Sequence, residues 1–568
     1  MPNLRNKFSG PIPIRFLRNA ILSVWSVWLL AVLSGAKSNS VARIAFLLSV
    51  FLFILNWPRR HDLGAAVVQT LERWVTPKRV LLGISFVIIV QIAALFADQW
   101  ALEGTLWDLT LYIQLIEAKA KTGHPWATFS GTVLDYHSNH LSLSLPFLGF
   151  FAKWIPAAWL SHIWMGFTLF APAYVFWLWA RTLDVKNQTA GPGQSGVLYL
   201  AAAGLWVFSP AVLKMETWPY VLSSAGFFLM AASYYFYFQD SWHKWWGWAA
   251  CLVLACLEKE DYGLFGATFG LMVFLQHAVK PRKQAVLPIF LSVIVITVSI
   301  GAIGYIHATG RGTVSTFASR FGSFGATPQE AVQNFFVHPE IIVRMLSRPL
   351  VFKYLFFFLA MSCFWLVPGP QRLKKWARIF WIYLPGLPIL VANVMSESVA
   401  MYQLKDPYAL PVAVAMGAAM VFGTFQVGWG QMGWGVKKIT EWSRFCLLAM
   451  AVGFLLWDQQ FPMRTLKKRL EMASDRAPAR NAMQWIKNDP SLIVCCKERL
   501  CSWFAERDNI FILDVCLAHP ERIEALLGPR AFERKVFVVY ASDRNLPPEL
   551  KWRYEDELFK ISEPVAIR

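Results

Sequence analysis

Asp108 heads the residues able to do chemistry. It stands in a stretch, 98–146, where Asp98, Glu103, Asp108, Gln114, Glu117, His124, Asp135, His137, Asn139 and His140 crowd between two apolar segments. Ionisable groups at a membrane face are costly unless they have work or partners. Asp108 falls two residues inside an expected interfacial helix, 106–121. A carboxylate there can act as a general base, drawing the proton from an attacking hydroxyl. It can equally be a first-turn acid favoured by the helix dipole. His137 and His140 are three apart, which suits a divalent metal or a phosphate, and also a solvated loop pair.

Later in the chain, Glu258, Lys259, Glu260 and Asp261 form a dense charged group at a span end, either the wall of a site or a solvated cap. Arg311, Arg320, Arg344 and Arg348 carry guanidinium forks that match phosphate oxygens; ordinary surface charge would look the same. Tyr402, Lys405 and Tyr408, beside Pro407 and Pro411, would line a lipid or sugar groove or anchor the chain at the interface. Glu216 stands alone past another span end. No metal-ligand set is complete, so a metal is open rather than expected.

What must position these groups is a membrane bundle. The chain has 568 residues, 56% of them hydrophobic, with mean hydropathy +0.42. A soluble protein of that composition would lack polar surface to cover itself. The 28 Trp suit a headgroup interface. The net charge of +19 does not point to nucleic acid, because the bases sit in short clusters between apolar runs, the positive-inside pattern.

About thirteen spans are expected, at 19–36, 41–57, 80–97, 158–180, 196–213, 218–238, 245–257, 262–278, 284–306, 349–367, 379–395, 407–425 and 441–457. The segment 141–156 decides the topology. It is apolar but short, and Pro146 and Pro156 break it. Laid along the outer interface as an amphipathic helix, it leaves five basic clusters on one, cytoplasmic side, with the N-terminus. The charged groups named above then share the outer face. Buried charge along the spans would favour a transporter, and little is present.

Residues 458–568 differ. A basic helical stretch (Arg464, Lys467, Lys468, Arg469) precedes strand-like runs at 492–495, 510–513 and 536–540, with helices at about 476–488 and 519–527. That alternation predicts a small α/β domain outside the membrane. It has no Gly-rich phosphate loop. Of the eight Cys, Cys251, Cys256, Cys363 and Cys446 lie in apolar runs. Cys495, Cys496, Cys501 and Cys516 cluster in the tail, where an oxidising compartment would allow one disulfide, its pairing not fixed by sequence. The chain thus divides into a basic flank with two extra helices (1–79), a membrane core (80–457) with a large first outer loop (98–157), and the tail.

A resemblance joins these residues. Trp107-Asp108-Leu109-Thr110-Leu111-Tyr112-Ile113-Gln114 resembles the Phe-Asp-Leu-Gly-Ile-x-x-Gln opening of DUF2079, a family of bacterial polytopic membrane proteins. Asn139-His140-Leu141-Ser142 with Pro146 resembles its His-Phe-Ser-Pro segment. Glu216 stands where the family has a His-Pro-Glu element, and Lys259-Glu260-Asp261 matches its Lys-Glu-Asp motif. Arg348-Pro349 and the run 402–411 resemble its later blocks. The family is similar in layout to the GT-C glycosyltransferases, which have a large acidic first outer loop, interfacial helices and a polyprenyl-phosphate sugar donor.

That likeness implies an all-α, GT-C-like bundle in the bacterial inner membrane, moving a sugar from a polyprenyl-phosphate-type lipid to an extracytoplasmic acceptor. Asp108 would be the base. Gln114, His137, Glu216, Glu258, Lys259, Glu260, Asp261, Tyr402, Lys405 and Tyr408 would shape the site, and His140 and Arg348 would meet the donor phosphate. A transporter or flippase for a lipid-linked or small anionic solute is the alternative class. A non-catalytic envelope scaffold acting through its tail is another.

Overall fold

The computed structural model describes residues 14–33, 73–102, 106–128, 141–187, 196–207, 222–309, 320–361, 380–402, 407–426, 462–507, 509–527, 534–543 and 550–565, with isolated positions between them. Everything below concerns these residues. The expected spans 41–57 and 441–457 lie outside them.

Helix α1 is Ile14–Leu33. Helix α2, Pro77–Trp100, starts where Thr76 caps it, accepting from the Arg79 N–H at 3.3 Å, with Pro77 in the first turn. Its end delivers the chain to α3, Leu106–Thr122, and a two-residue pairing of β1 (Trp126–Ala127) with β2 (Leu134–Asp135). Then come the short α4, Ser144–Phe151, and α5, Ala157–Asn187. The helices α6 (Gly196–Val207), α7 (Ala225–Tyr237), α8 (Lys244–Glu258), α9 (Gly263–Ala278) and α10 (Arg282–Thr309) follow. Next are α11 (Pro328–Val337), α12 (Pro339–Leu346), α13 (Pro349–Met361), α14 (Leu387–Met395) and α15 (Leu410–Gln426). The long α5 is the hub, packing on α2, α6, α7 and α15.

Three described helices are long and apolar enough to cross a membrane, within Pro77–Trp100, Ala157–Thr182 and Arg282–Tyr305. A count of thirteen spans is therefore not shown. Several expected spans are shortened by breaks. The span predicted at 379–395 is interrupted by a 3-10 turn at Leu384–Gly386, where Pro385 and Pro388 remove backbone donors. Within the one predicted at 218–238, a 3-10 turn at Leu222–Ser224 precedes the helix Ala225–Tyr237.

The segment 141–156 does not span. Its helix α4 has eight residues, about 12 Å of rise. One face packs on α3, closely enough that a Cβ on Gly149 would come within 2.5 Å of the Lys119 side chain. The other face leaves Phe147 and Phe150 half exposed, as an interfacial helix requires.

The tail opens with α16 (Pro462–Asp475) and α17 (Ala477–Asn488). A mixed sheet of order β4-β3-β5-β7-β6 follows. Strands β3 (Ile493–Cys496), β4 (Ile510–Ile512) and β5 (Lys535–Tyr540) are parallel. The hairpin of β6 (Trp552–Glu555) and β7 (Phe559–Ser562) joins β5 antiparallel. The crossovers are α18 (Glu498–Cys501), then α19 (Leu513–Ala518) with α20 (Pro520–Leu527). Two disulfides replace the single one expected: Cys495–Cys516 and Cys496–Cys501.

The tail is docked on the end of α2. Asp98, 8% exposed, pairs with Arg469 of α16 at 2.6 Å. Arg476 and Arg480 donate to the carbonyls of Ala101 and Trp100. Breaking a buried pair from one side leaves an uncompensated charge. Arg469→Met is expected to destabilise the detergent-solubilised protein by about 3 kcal/mol. Adding Asp98→Asn should recover most of that loss. Tail-specific proteolysis across the double-mutant cycle measures both; additive losses would count against a buried pair.

Candidate functional site

The site is built where α8 ends. Glu258 closes that helix, Lys259 is extended (φ −156°, ψ 132°), and Glu260–Tyr262 forms a 3-10 turn before α9 begins. One extended residue between two tight segments sends neighbouring side chains in different directions. Glu258 and Glu260 turn to the first loop; Lys259 turns to Asp261 and Tyr408.

Glu258 is 1% exposed, so it is not a solvated cap. Its Oε2 accepts the Ser144 N–H at 2.9 Å, at the N-terminus of α4. Glu260 accepts the Leu141 N–H at 3.3 Å. Ser142 Oγ takes the Leu145 N–H at 3.3 Å. A buried acid is thus bonded to helix N–H groups that have no intrahelical partner. Burial pushes the Glu258 carboxyl up to about 8, against the hydrogen bonds from Ser144 and its neighbours, which act to lower it.

Lys259 pairs with Asp261 at 3.4 Å and is 15% exposed. Its Nζ lies 5.1 Å from the centre of the Tyr408 ring. The Arg320 guanidinium lies 5.4 Å from the same ring and donates to Tyr408 Oη at 3.1 Å. Burial acts to lower the Lys259 pKa, but Asp261, with Tyr408 and other neighbours, overrides it and holds the ammonium above its ordinary value. One phenol ring therefore carries two cations.

A second cation–ring pair sits alongside. Arg348 lies 5.6 Å over the Tyr402 ring and donates to Tyr402 Oη at 3.4 Å and to the Ser396 carbonyl at 2.8 Å. Glu397 accepts from the Ser323 N–H at 2.6 Å and from its hydroxyl, and Arg344 donates to the same hydroxyl at 3.0 Å. Ser396 Oγ donates to the Arg320 carbonyl at 3.1 Å. Asn393 joins α13 to the Tyr408 turn by donating to Tyr354 Oη and the Tyr408 carbonyl, both at 2.8 Å.

Glu258, Lys259, Glu260, Asp261, Arg348, Tyr402 and Tyr408 are thus brought onto one rim of the bundle, together with the start of α4. Gln114 is on α3 but is spoken for: its amide donates to the Arg507 carbonyl at 2.9 Å and its oxygen accepts the Thr128 N–H at 3.2 Å. It ties the first loop to the tail. Asp108 falls in the first turn of α3, and its side chain lies outside the description, as do His137, His140, Glu216 and Lys405. Arg320 and Glu397 are the rim members that single-residue reading underweighted. Arg320 was visible only as one of four arginines, and no spacing connects it to Tyr408. No group of three or more metal-binding side chains occurs among the described residues.

A membrane protein with an acid–base rim at one end of a helical bundle is the class these features define. The chain belongs to the DUF2079 family of predicted membrane proteins, whose match covers residues 98–524. No curated protein matches the chain. Among solved structures, ArnT from Cupriavidus metallidurans bound to undecaprenyl phosphate is similar, at 10% identity and TM-score 0.48, over 86% of this chain and 98% of that one. The apo ArnT structure gives 11% identity, TM-score 0.48, and coverage of 85% and 97%. The Archaeoglobus fulgidus oligosaccharyltransferase complex with Zn and sulfate gives 10%, 0.35, and 80% and 67%.

The raised Glu258 pKa makes a stability prediction. A folded-state pKa above the unfolded value gives stability that is present below about pH 4.5 and lost as pH rises through about 8. Melting of the solubilised protein between pH 6 and 9 should therefore fall toward alkaline pH. Glu258→Gln should flatten that fall. An identical pH slope in the variant would mean that Glu258 does not titrate in this range.

Proposed function

We propose that this protein is a membrane glycosyltransferase of the GT-C kind, moving a sugar from a polyprenyl-phosphate-type lipid to an extracytoplasmic acceptor. The observation that carries the reading is the double use of 258–261. Its acids hold the first loop, and its Lys259 stands with Arg320 on Tyr408. An acidic loop and an array of phosphate-matching cations therefore meet at one rim. A sugar phosphate needs that combination: a base for the incoming hydroxyl and positive charge for the leaving phosphate.

In the proposed step, Asp108 takes the proton from an acceptor hydroxyl as its oxygen bonds to the anomeric carbon. The bond from that carbon to the phosphate oxygen breaks, and the electron pair leaves on the polyprenyl phosphate. Arg348, Arg320 and Lys259 receive the growing negative charge; guanidinium forks suit phosphate oxygens. Tyr402 and Tyr408 fix the direction of those cations. The undecaprenyl phosphate in the ArnT structure belongs to the lipid class proposed as carrier here. Two disulfides in the tail support placing it, and the end of α2 on which it docks, in an oxidising compartment outside the cytoplasm.

Asp108→Asn in proteoliposomes supplied with a labelled polyprenyl-phosphate sugar should lower transfer by about 10²–10⁴-fold, with expression and melting unchanged. A variant as fast as wild type removes the base assignment. Lipid or solute flux that survives the substitution, with no sugar transfer by either protein, would favour a transporter.

A further inference from the structure

At the end of α2 away from the rim, a cavity of about 280 Å³ opens between α2 and α6. Its α2 lining, Arg79 to Val87, lies roughly 20–32 Å along that helix from the tail-docking end, at 1.5 Å per residue. Val80, Val87, Leu200 and Val207 wall it, Gly83 lies in it, and Arg79 lines it with Trp74. Among the described residues, no acidic side chain lines it. Arg79 is exposed and donates to the Trp74 carbonyl at 2.6 Å. Arg73 and Lys78, also exposed, flank Trp74 and Arg79 in the chain.

An apolar cavity stays dry, and an empty one forfeits dispersion contact along its whole lining. In a bilayer the filler at hand is hydrocarbon. The cations select among lipids: basic residues beside a span attract anionic headgroups, and basic pockets between helices hold them. We propose that this groove binds one acyl chain of an anionic diacyl phospholipid, with Arg79 on its phosphate and Arg73 and Lys78 adding attraction. The site is separate from the rim and does not depend on the transferase reading.

The test uses the purified full chain, delipidated and exchanged into detergent with equal phosphatidylglycerol and phosphatidylcholine. Native mass spectrometry counts the retained lipid. Phosphatidylglycerol should be kept at least five-fold over phosphatidylcholine, and Arg79→Gln should cut that preference roughly five-fold. Gly83→Leu should abolish retention of both lipids by filling the groove. A Cβ on Gly83 meets nothing within 4 Å, so that variant has room to fold. Should it fail to fold, Arg79→Gln decides alone. Equal retention of both lipids, or a preference untouched by Arg79→Gln, overturns the proposal. So does wild-type retention in a folded Gly83→Leu protein. A cysteine at Gly83 that crosslinks to the chain's own 34–61 segment would equally overturn it, by showing the groove filled from within.

Discussion

The extended backbone of Lys259 is the constraint on which the rim depends. Had α8 run on, Glu258 and Lys259 would sit about 100° apart on one cylinder, and Glu260 would continue around it. Instead the break lets the two glutamates grip the first loop while Lys259 reaches Tyr408. The grip answers two needs at once. A carboxyl group as buried as Glu258 is costly without hydrogen bonds. The first N–H groups of α4 have no intrahelical acceptors, and α4 is too short to gain much from its own hydrogen bonds. Each supplies what the other lacks, and α4 is held at the rim with its phenylalanine face outward.

The cations across the rim are organised by rings rather than by acids alone. Asp261 neutralises part of the Lys259 charge, but Arg320 and Arg348 lean on Tyr408 and Tyr402. A cation over an aromatic face keeps its charge and its outward donors. A salt bridge would occupy those donors. Glu397, in the same part of the chain, is bonded to Ser323. The arrangement leaves Arg320 and Arg348 bonded to rings, a phenol and a carbonyl.

Local pattern was legible and tertiary pairing was not. The helix expected at 106–121 is found at Leu106–Thr122. The strands expected at 492–495, 510–513 and 536–540 fall within a residue of β3, β4 and β5. Apolar runs, caps and prolines act over a few residues, so sequence carries them. The β6–β7 hairpin was missed because Trp552, Arg553, Tyr554 and Glu555 mix aromatic and charged residues on a strand exposed at the sheet edge. Four clustered cysteines admit several pairings, and only the fold of β3 against α18 and α19 selects two. The resemblance groups Gln114 with substrate contacts, and its amide closes a gap of nearly four hundred residues to Arg507. No periodicity announces such a contact.

That long-range closure also explains how a domain far along the chain bears on Asp108. The last carbonyls of α2 have no helical donors of their own. Arg476 and Arg480 supply donors and place positive charge at the negative end of the helix dipole. Arg469 neutralises Asp98 one turn earlier. Gln99 then bridges inward to His162 of α5 at 2.9 Å and outward to the Ser502 carbonyl at 3.4 Å. The segment around Ser502 and α18 packs on α3. Undocking the tail would strand a buried acid, orphan carbonyls and the Gln114 amide together, so α2, α3 and the tail behave as one body. The helix that carries Asp108 is therefore clamped between α4, which Glu258 caps, and the tail, which the end of α2 holds.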